Sequence, residues 1–251
     1  MIPIYSEEEI KTMKEGGKKL RKTLKEVLKA IKPGVTLREL DQLAEKSIRA
    51  QDGQPSFKKV PGYYWASCIN LNDGVVHGIP DEKLIKKDDY VSVDLGFYGN
   101  GFHTDMAWTI KAVDSRLKTV DDRFLKTGEE ALKKAIDQVK PENRVGHISK
   151  AIEQTIKKAG YQPIRSLSGH GVGHELHQEP VIPCFLKGEI SQTPLLKRGM
   201  VLAIEVIYAQ GEPGLVMADD GWTISTQDGK IAGLFEETVA VTANGHLVLT
   251  S

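Results

Sequence analysis

Asp94 and Asp105 stand at equal distances from the dipeptide Gly99-Asn100, each inside a run, Val91 to Ile110, that otherwise reads as buried β-strand. With Gly99-Asn100 as the two-residue loop of a hairpin, Tyr98 pairs with Gly101, Phe97 with Phe102, and so outward until Asp94 faces Asp105. Facing residues of an antiparallel pair share one side of the sheet, with Cβ atoms about 4.5–5.5 Å apart. Two carboxylates that close repel, so the pair needs a shared proton, a neighbouring Arg or, most economically, one or two divalent cations. The same register carries a geometric expectation: with another turn, or a bulge that slips it by one, the two carboxylates no longer face a common site.

Three further segments hold charged or imidazole groups in apolar surroundings. Met200 to Tyr208 is almost wholly apolar except for Glu205, and an uncompensated carboxylate there would cost several kcal/mol or become protonated. Leu234 to Val239 repeats the anomaly with Glu236 and Glu237; strand alternation lets only one point inward and does not say which. Gly169-His-Gly-Val-Gly-His-Glu-Leu-His177 is too rich in glycine for a helix, and its His174-Glu-Leu-His177 spacing is not the His-Glu-x-x-His of a helical zinc protease. A tight turn flanked by glycine can instead bring the His170 ring to a site that backbone approaches closely.

Taken alone, each of these residues has an ordinary structural role as a cap, an ion-pair partner or a satisfied buried polar group. Together, two Asp, two strand-embedded Glu and one His make an oxygen-rich site with up to four negative charges, which two divalent cations balance and one does not. Carboxylates with one imidazole and no thiolate suit Mn(II), Fe(II) or Co(II) and tolerate zinc.

Elements that could position these residues are legible from capping and periodicity. Ser6 followed by Glu7, Glu8 and Glu9 reads as a helix start, with the helix running to about Ile31 and a break expected at Gly16-Gly17. Thr36-Leu-Arg-Glu39 is a capping box opening a second helix that ends near Asp52-Gly53. Ala66 to His77 reads as strand, turn, strand around Asn72-Asp73-Gly74. Two more helices follow over Asp121–Val139 and Arg144–Ala159, then strands at Met200–Tyr208, Gly221–Ser225, Phe235–Val241 and His246–Leu249. Helices then strands, twice over, predict one α/β (α+β) unit of internally duplicated architecture spanning residues 1–251.

Bulk properties are ordinary for a soluble globular protein. Lys+Arg and Asp+Glu both number 34, so the net charge is zero and nothing global attracts nucleic acid or membrane. Cys68 and Cys184 are too few for a disulfide framework or a thiolate zinc site and fit a reducing cytoplasm. The first residues show no signal-peptide pattern, and no apolar run approaches membrane-spanning length. From Lys11 to Lys32 nine basic residues oppose two acidic ones; a solvated helix face accounts for this, and a docking face for an acidic partner such as ribosomal RNA is the alternative.

Asp94, Asp105, His170, Glu205 and Glu236, with Asn72-Asp-Gly-Val-Val-His-Gly-Ile-Pro80 upstream and Gly169-His-Gly-Val-Gly173 downstream, closely resemble the methionine aminopeptidases over nearly the whole chain. The resemblance implies a pita-bread fold: pseudo-two-fold symmetric halves with a central curved antiparallel sheet flanked by helices, and a dimetal site between them. It implies cytoplasmic, cotranslational removal of the initiator methionine when the second residue is small, by a monomer with two divalent metal ions. It places the fifth ligand at Glu236 and leaves Glu237 where histidine is usual. The short interval from His177 to Glu205 is similar to type I enzymes. By the same mapping Asp94 binds one metal, Asp105 and Glu236 bridge, His170 and Glu205 complete the other, and a hydroxide shared by the metals attacks. Glu205 then shuttles the proton, His177 contacts the scissile peptide and His77 the leaving-side amide. Tyr63, Cys68 and Trp222 match the methionine pocket, Leu176 stands where an aromatic is usual, and Gln178 replaces an acidic residue. Two alternatives remain: a pita-bread peptidase that cleaves before proline, for which the residues ahead of Tyr63 leave little room for the usual amino-terminal domain, and a metal-free binding module.

Overall fold

The computed structural model describes residues 1–113 and 122–251. Its elements are helices α1 (Glu7–Ala30) and α2 (Leu37–Arg49), strands β1 (Gln54–Pro55), β2 (Ser67–Leu71), β3 (Gly74–Val76), β4 (Tyr90–Gly99) and β5 (Phe102–Lys111), then α3 (Arg123–Ile136) and α4 (Val145–Lys158). Strands β6 (Gln162–Pro163), β7 (Ser168–Gly171), β8 (Gln178–Pro183), β9 (Val201–Ala209), β10 (Leu215–Met217), β11 (Ile224–Thr226), β12 (Ala232–Thr242) and β13 (Gly245–Val248) follow. The expected start of the third helix at Asp121 lies outside the described residues; Asp122 caps it, accepting from the amides of Phe124 and Leu125.

Helix starts follow the capping signals. Ser6 and Glu9 form one reciprocal capping box and Thr36 and Glu39 another. The break expected at Gly16-Gly17 is absent: α1 is continuous through both glycines. Their reason is tertiary, since a Cβ on Gly17 would lie 2.2 Å from the carbonyl oxygen of Leu249. The strand expected from Gly221 also begins later, at Ile224, because Asp220 accepts from the amides of Trp222 and Thr223 (both 2.8 Å) and holds them in a turn.

Among the described residues every strand pairing is antiparallel. A four-stranded sheet orders β1-β4-β2, with β5 on the other side of β4 at the hairpin; a six-stranded sheet orders β13-β12-β9-β7-β8, with β6 beside β9. Apolar faces of α1 and α2, among them Leu20, Leu24, Leu40 and Ile48, pack on the first sheet. Phe124, Leu132, Ile148 and Ile152 of α3 and α4 pack on the second. This is an α+β fold of two helix-backed halves around a central antiparallel sheet, as the pita-bread resemblance implies.

Two threonines stitch the halves together where β5 meets β12. Thr109 Oγ1 donates to the Leu234 carbonyl (2.8 Å) and accepts from the Leu234 amide (2.9 Å). Thr238 Oγ1 does the same to Asp105, donating to its carbonyl (2.7 Å) and accepting from its amide (2.9 Å). Each hydroxyl thus satisfies a buried backbone donor and acceptor that no ladder partner reaches.

The hairpin register differs from the one predicted. Its turn is Asn100-Gly101, not Gly99-Asn100, with φ values of 51° and 84°. A type I′ turn requires positive φ at both central residues, which Asn-Gly supplies with little strain. Asp94 therefore faces Ala107, and Asp105 faces Gly96. Moving the turn by one residue slips the pairing by two, so both carboxylates keep their side of the sheet as diagonal neighbours. The expectation that another turn would separate them is wrong for that reason.

Candidate metal centre

Facing carboxylates do occur, but on the other pair of strands. Glu205 of β9 lies directly opposite Glu236 of β12. His170 of β7 is opposite Ala203, two residues before Glu205 and hence on the same face, and its Nε2 lies 3.4 Å from Glu205 Oε1. His170 sits within a strand and not, as expected, on a tight turn; its glycine neighbour serves close strand approach, since a Cβ on Gly169 would lie 2.5 Å from the Ala203 carbonyl. Asp94 and Asp105 arrive from the first half, Glu205, Glu236 and His170 from the second, and all five line one cavity.

Within it, Asp105, His170 and Glu236 each offer a ligand atom, all within 4.8 Å of one another. Asp94 Oδ1 and Glu236 Oε1 are buried without any hydrogen-bond partner, a costly arrangement for groups of this kind. Among the described residues no Lys or Arg lines the cavity, so the neighbouring Arg allowed by the sequence is not found there. Burial, with repulsion from Asp105 and Glu205, holds the Asp94 carboxyl far above the carboxylate range. Burial also raises Asp105, Glu205 and Glu236, with mutual repulsion adding to the last two. Burial and the charge of His177 push His170 down to about 4, so its imidazole is a neutral donor. Four crowded carboxyls, orphaned oxygens and one neutral imidazole fit divalent cations by charge and by ligand chemistry.

Glu237 points the opposite way. Arg21 Nη1 of α1 donates to its Oε1 at 2.7 Å, and Thr250 Oγ1 donates to its Oε2. This settles which glutamate faces the cavity.

The rest of the cavity lining is mostly apolar and aromatic. Tyr63, Cys68, Leu176 and Trp222 contribute, together with Phe57, Val60 and Val76. The Tyr63 ring stands edge-on to Trp222, centroids 5.1 Å apart, and its hydroxyl donates to the Ser67 carbonyl (2.8 Å). Phe57 and Val60 escaped sequence reading: they open and cap a 3-10 turn, Phe57–Lys59, where neither helix nor strand period marks an inward residue. His77 and His177 also line the cavity, whereas His174 does not and touches Glu9 and the Gly101 carbonyl. His77 is lowered by burial and by His177, and His177 by burial.

The model of metallopeptidase family M24 matches residues 11–243. Methionine aminopeptidase 1 of Bacillus subtilis is 38% identical over 250 residues, covering 100% of this chain and 99% of that protein. The crystal structure of methionine aminopeptidase from Thermotoga maritima superposes with a TM-score of 0.93 at 38% identity, covering 100% of both chains. Prolidase from Pyrococcus furiosus is more distant, with a TM-score of 0.77 and 25% identity over 99% of this chain and 65% of that one. With a metal-ligand cluster between its two halves and this full-length likeness, the chain belongs to metallopeptidase family M24, as a metalloaminopeptidase of the type I methionine aminopeptidase group.

Proposed function

We propose that the chain hydrolyses the peptide bond after an N-terminal methionine, preferring a small second residue, with two divalent cations held by Asp94, Asp105, His170, Glu205 and Glu236. The observation that carries this reading is an acidic, unbalanced ligand cluster that shares one cavity with apolar walls from Tyr63, Cys68, Leu176 and Trp222. A flexible thioether side chain suits such walls. Bound cations would bring a water's pKa toward neutrality and so supply the nucleophile. Glu205, its Oε1 3.4 Å from His170 Nε2, would take up the nucleophile's proton at its carboxylate and give it to the departing amine. At the cavity wall, His177 donates to the scissile carbonyl, and His77 contacts the leaving-side amide, its unprotonated ring nitrogen accepting from that N–H. Both are held toward the neutral form, which has one N–H to give and one ring nitrogen to accept.

The buried free thiols of Cys68 and Cys184 suit the cytoplasm as the place of action. On α1, Lys18, Arg21, Lys22, Lys25 and Lys29 line one groove, the surface that a ribosomal RNA contact would use. Arg21 there is already engaged with Glu237.

Hydrolysis of Met-Ala-Ser by the protein loaded in turn with Mn(II), Fe(II), Co(II) and Zn(II), with bound metal quantified, tests the reading. Asp94→Ala and Glu205→Ala are each expected to abolish turnover, and near-wild-type rates in either would sink the assignment. Faster cleavage of Xaa-Pro peptides than of Met-Ala-Ser would move the activity to the prolidase class. No hydrolysis and no bound metal would leave a binding module.

A further inference from the structure

Glu237 is buried, adjoins a candidate ligand and yet takes no part in the cavity. Its bonding partners form a continuous path back to that cavity by another route. Arg21 on α1 holds one carboxylate oxygen at 2.7 Å, and Thr250 donates to the other. The same Thr250 Oγ1 accepts from the Thr238 amide at 3.0 Å, and the neighbouring Leu249 amide donates to the Thr238 carbonyl at 2.8 Å. Thr238 in turn grips the backbone of Asp105 from both sides, accepting from its amide and donating to its carbonyl. Glu236, between Glu237 and Thr238, has its own side chain on the cavity face.

Two candidate ligands from opposite halves, Asp105 and Glu236, are therefore spaced by one hydrogen-bonded path: Arg21, Glu237, Thr250, Thr238. Charge makes the path necessary. A fifth carboxylate beside four others would worsen their repulsion, and Arg21, half-buried over the face of Trp108 at 5.8 Å, offsets it from the far side of β12. Thr250 is fully buried, so its hydroxyl has no water to replace Glu237 or Thr238. Neither Arg21 nor Thr250 touches the cavity.

We propose that Arg21, Glu237 and Thr250 are positioning residues for the metal centre, fixing the separation of Asp105 and Glu236 through Thr238. The proposal rests on the reading of those two carboxylates as metal ligands. Groups that orient metal ligands typically alter affinity by about 10–100-fold when removed. Metal-free wild type, Thr250→Val, Thr250→Ser, Arg21→Met and Asp105→Ala would each be titrated with Co(II) by calorimetry and by the visible d–d absorption of the bound ion. Thr250→Val and Arg21→Met are expected to bind Co(II) about 10–100-fold more weakly with a changed absorption band, and Thr250→Ser to restore both. Lowered thermal stability in Thr250→Val with affinity and band unchanged would make the network merely structural and overturn the proposal. If Thr250→Val does not fold, an unchanged Co(II) affinity in Arg21→Met overturns it equally. Asp105→Ala separates the two levels: wild-type Co(II) binding there would defeat the metal-centre reading itself.

Discussion

His77 is held with a φ of 58°, a left-handed conformation that a non-glycine residue adopts at a cost of about 1–3 kcal/mol unless its surroundings enforce it. The enforcing contacts are backbone ones: the next residue, Gly78, accepts from the Ile69 amide at 2.9 Å, and the Ile79 amide donates to Thr223 Oγ1 at 3.3 Å. The strained backbone turns the imidazole into the cavity without making it one of the clustered ligands. His77→Ala should therefore lower turnover of Met-Ala-Ser by about 100-fold, the lower range for loss of a positioned proton-transfer group, while metal bound per chain stays at the wild-type value. Wild-type turnover would remove His77 from the chemistry, and loss of metal would make it a support for the centre. At this scale the sequence was informative where chemistry is anomalous: a carboxylate in Met200–Tyr208 is conspicuous whatever the register. It was silent on Phe57 and Val60, apolar residues in an irregular segment, and it paired the wrong carboxylates. Asn100 is shared by two possible turns, and only positive φ at both central residues selects Asn100-Gly101.

Helix α1 shows why element boundaries and element breaks are legible to different degrees. Its start is local chemistry, a capping box within four residues, and so can be read from Ser6 and Glu9 alone. Its supposed break depends on what packs against it. Gly17 admits the Leu249 carbonyl to where a Cβ would be, at 2.2 Å, whereas a Cβ on Gly16 would meet the Phe97 ring at an ordinary 3.4 Å. These adjacent glycines therefore make opposite predictions. Alanine gains about 1 kcal/mol of helix propensity at either position, but at Gly17 it must push α1 off backbone, an overpacking cost of about 1–3 kcal/mol and sometimes more. Gly16→Ala should be neutral or stabilise by up to about 1 kcal/mol. Gly17→Ala should destabilise by up to about 2 kcal/mol net. Urea unfolding midpoints of the two variants check the contrast, and equal midpoints would show that the helix gives way to the Cβ at no cost.

Across the whole molecule, the alternation of helices and strands disclosed two halves, but not the threonine seam that closes one against the other. Thr109 and Thr238 look like ordinary strand residues, and their pairing with Leu234 and Asp105 exists only once the sheets meet. The closed seam buries a set of titratable groups whose preferences oppose each other. Asp94, Asp105, Glu205 and Glu236 are held above the carboxylate range, so the metal-free fold keeps protons that the unfolded chain releases above about pH 4; their contribution to stability is lost as pH rises. His103 and His170 are pushed down to about 4, and His77 and His177 are lowered too, so the unfolded chain takes up protons first as pH falls below about 6.5 and stability is lost in that direction. Between those limits the two slopes offset one another in the metal-free protein. Bound cations keep the carboxylates ionised, which removes the first slope and leaves the second. The stabilisation conferred by Mn(II) should accordingly grow with pH. Thermal midpoints measured with Mn(II) and with EDTA from about pH 5 to 7.5 should diverge as pH rises, because proton release accompanies metal binding. A gap that stayed constant across that window would mean that the four carboxyls do not exchange protons for metal, and the centre would have to be charged by other means.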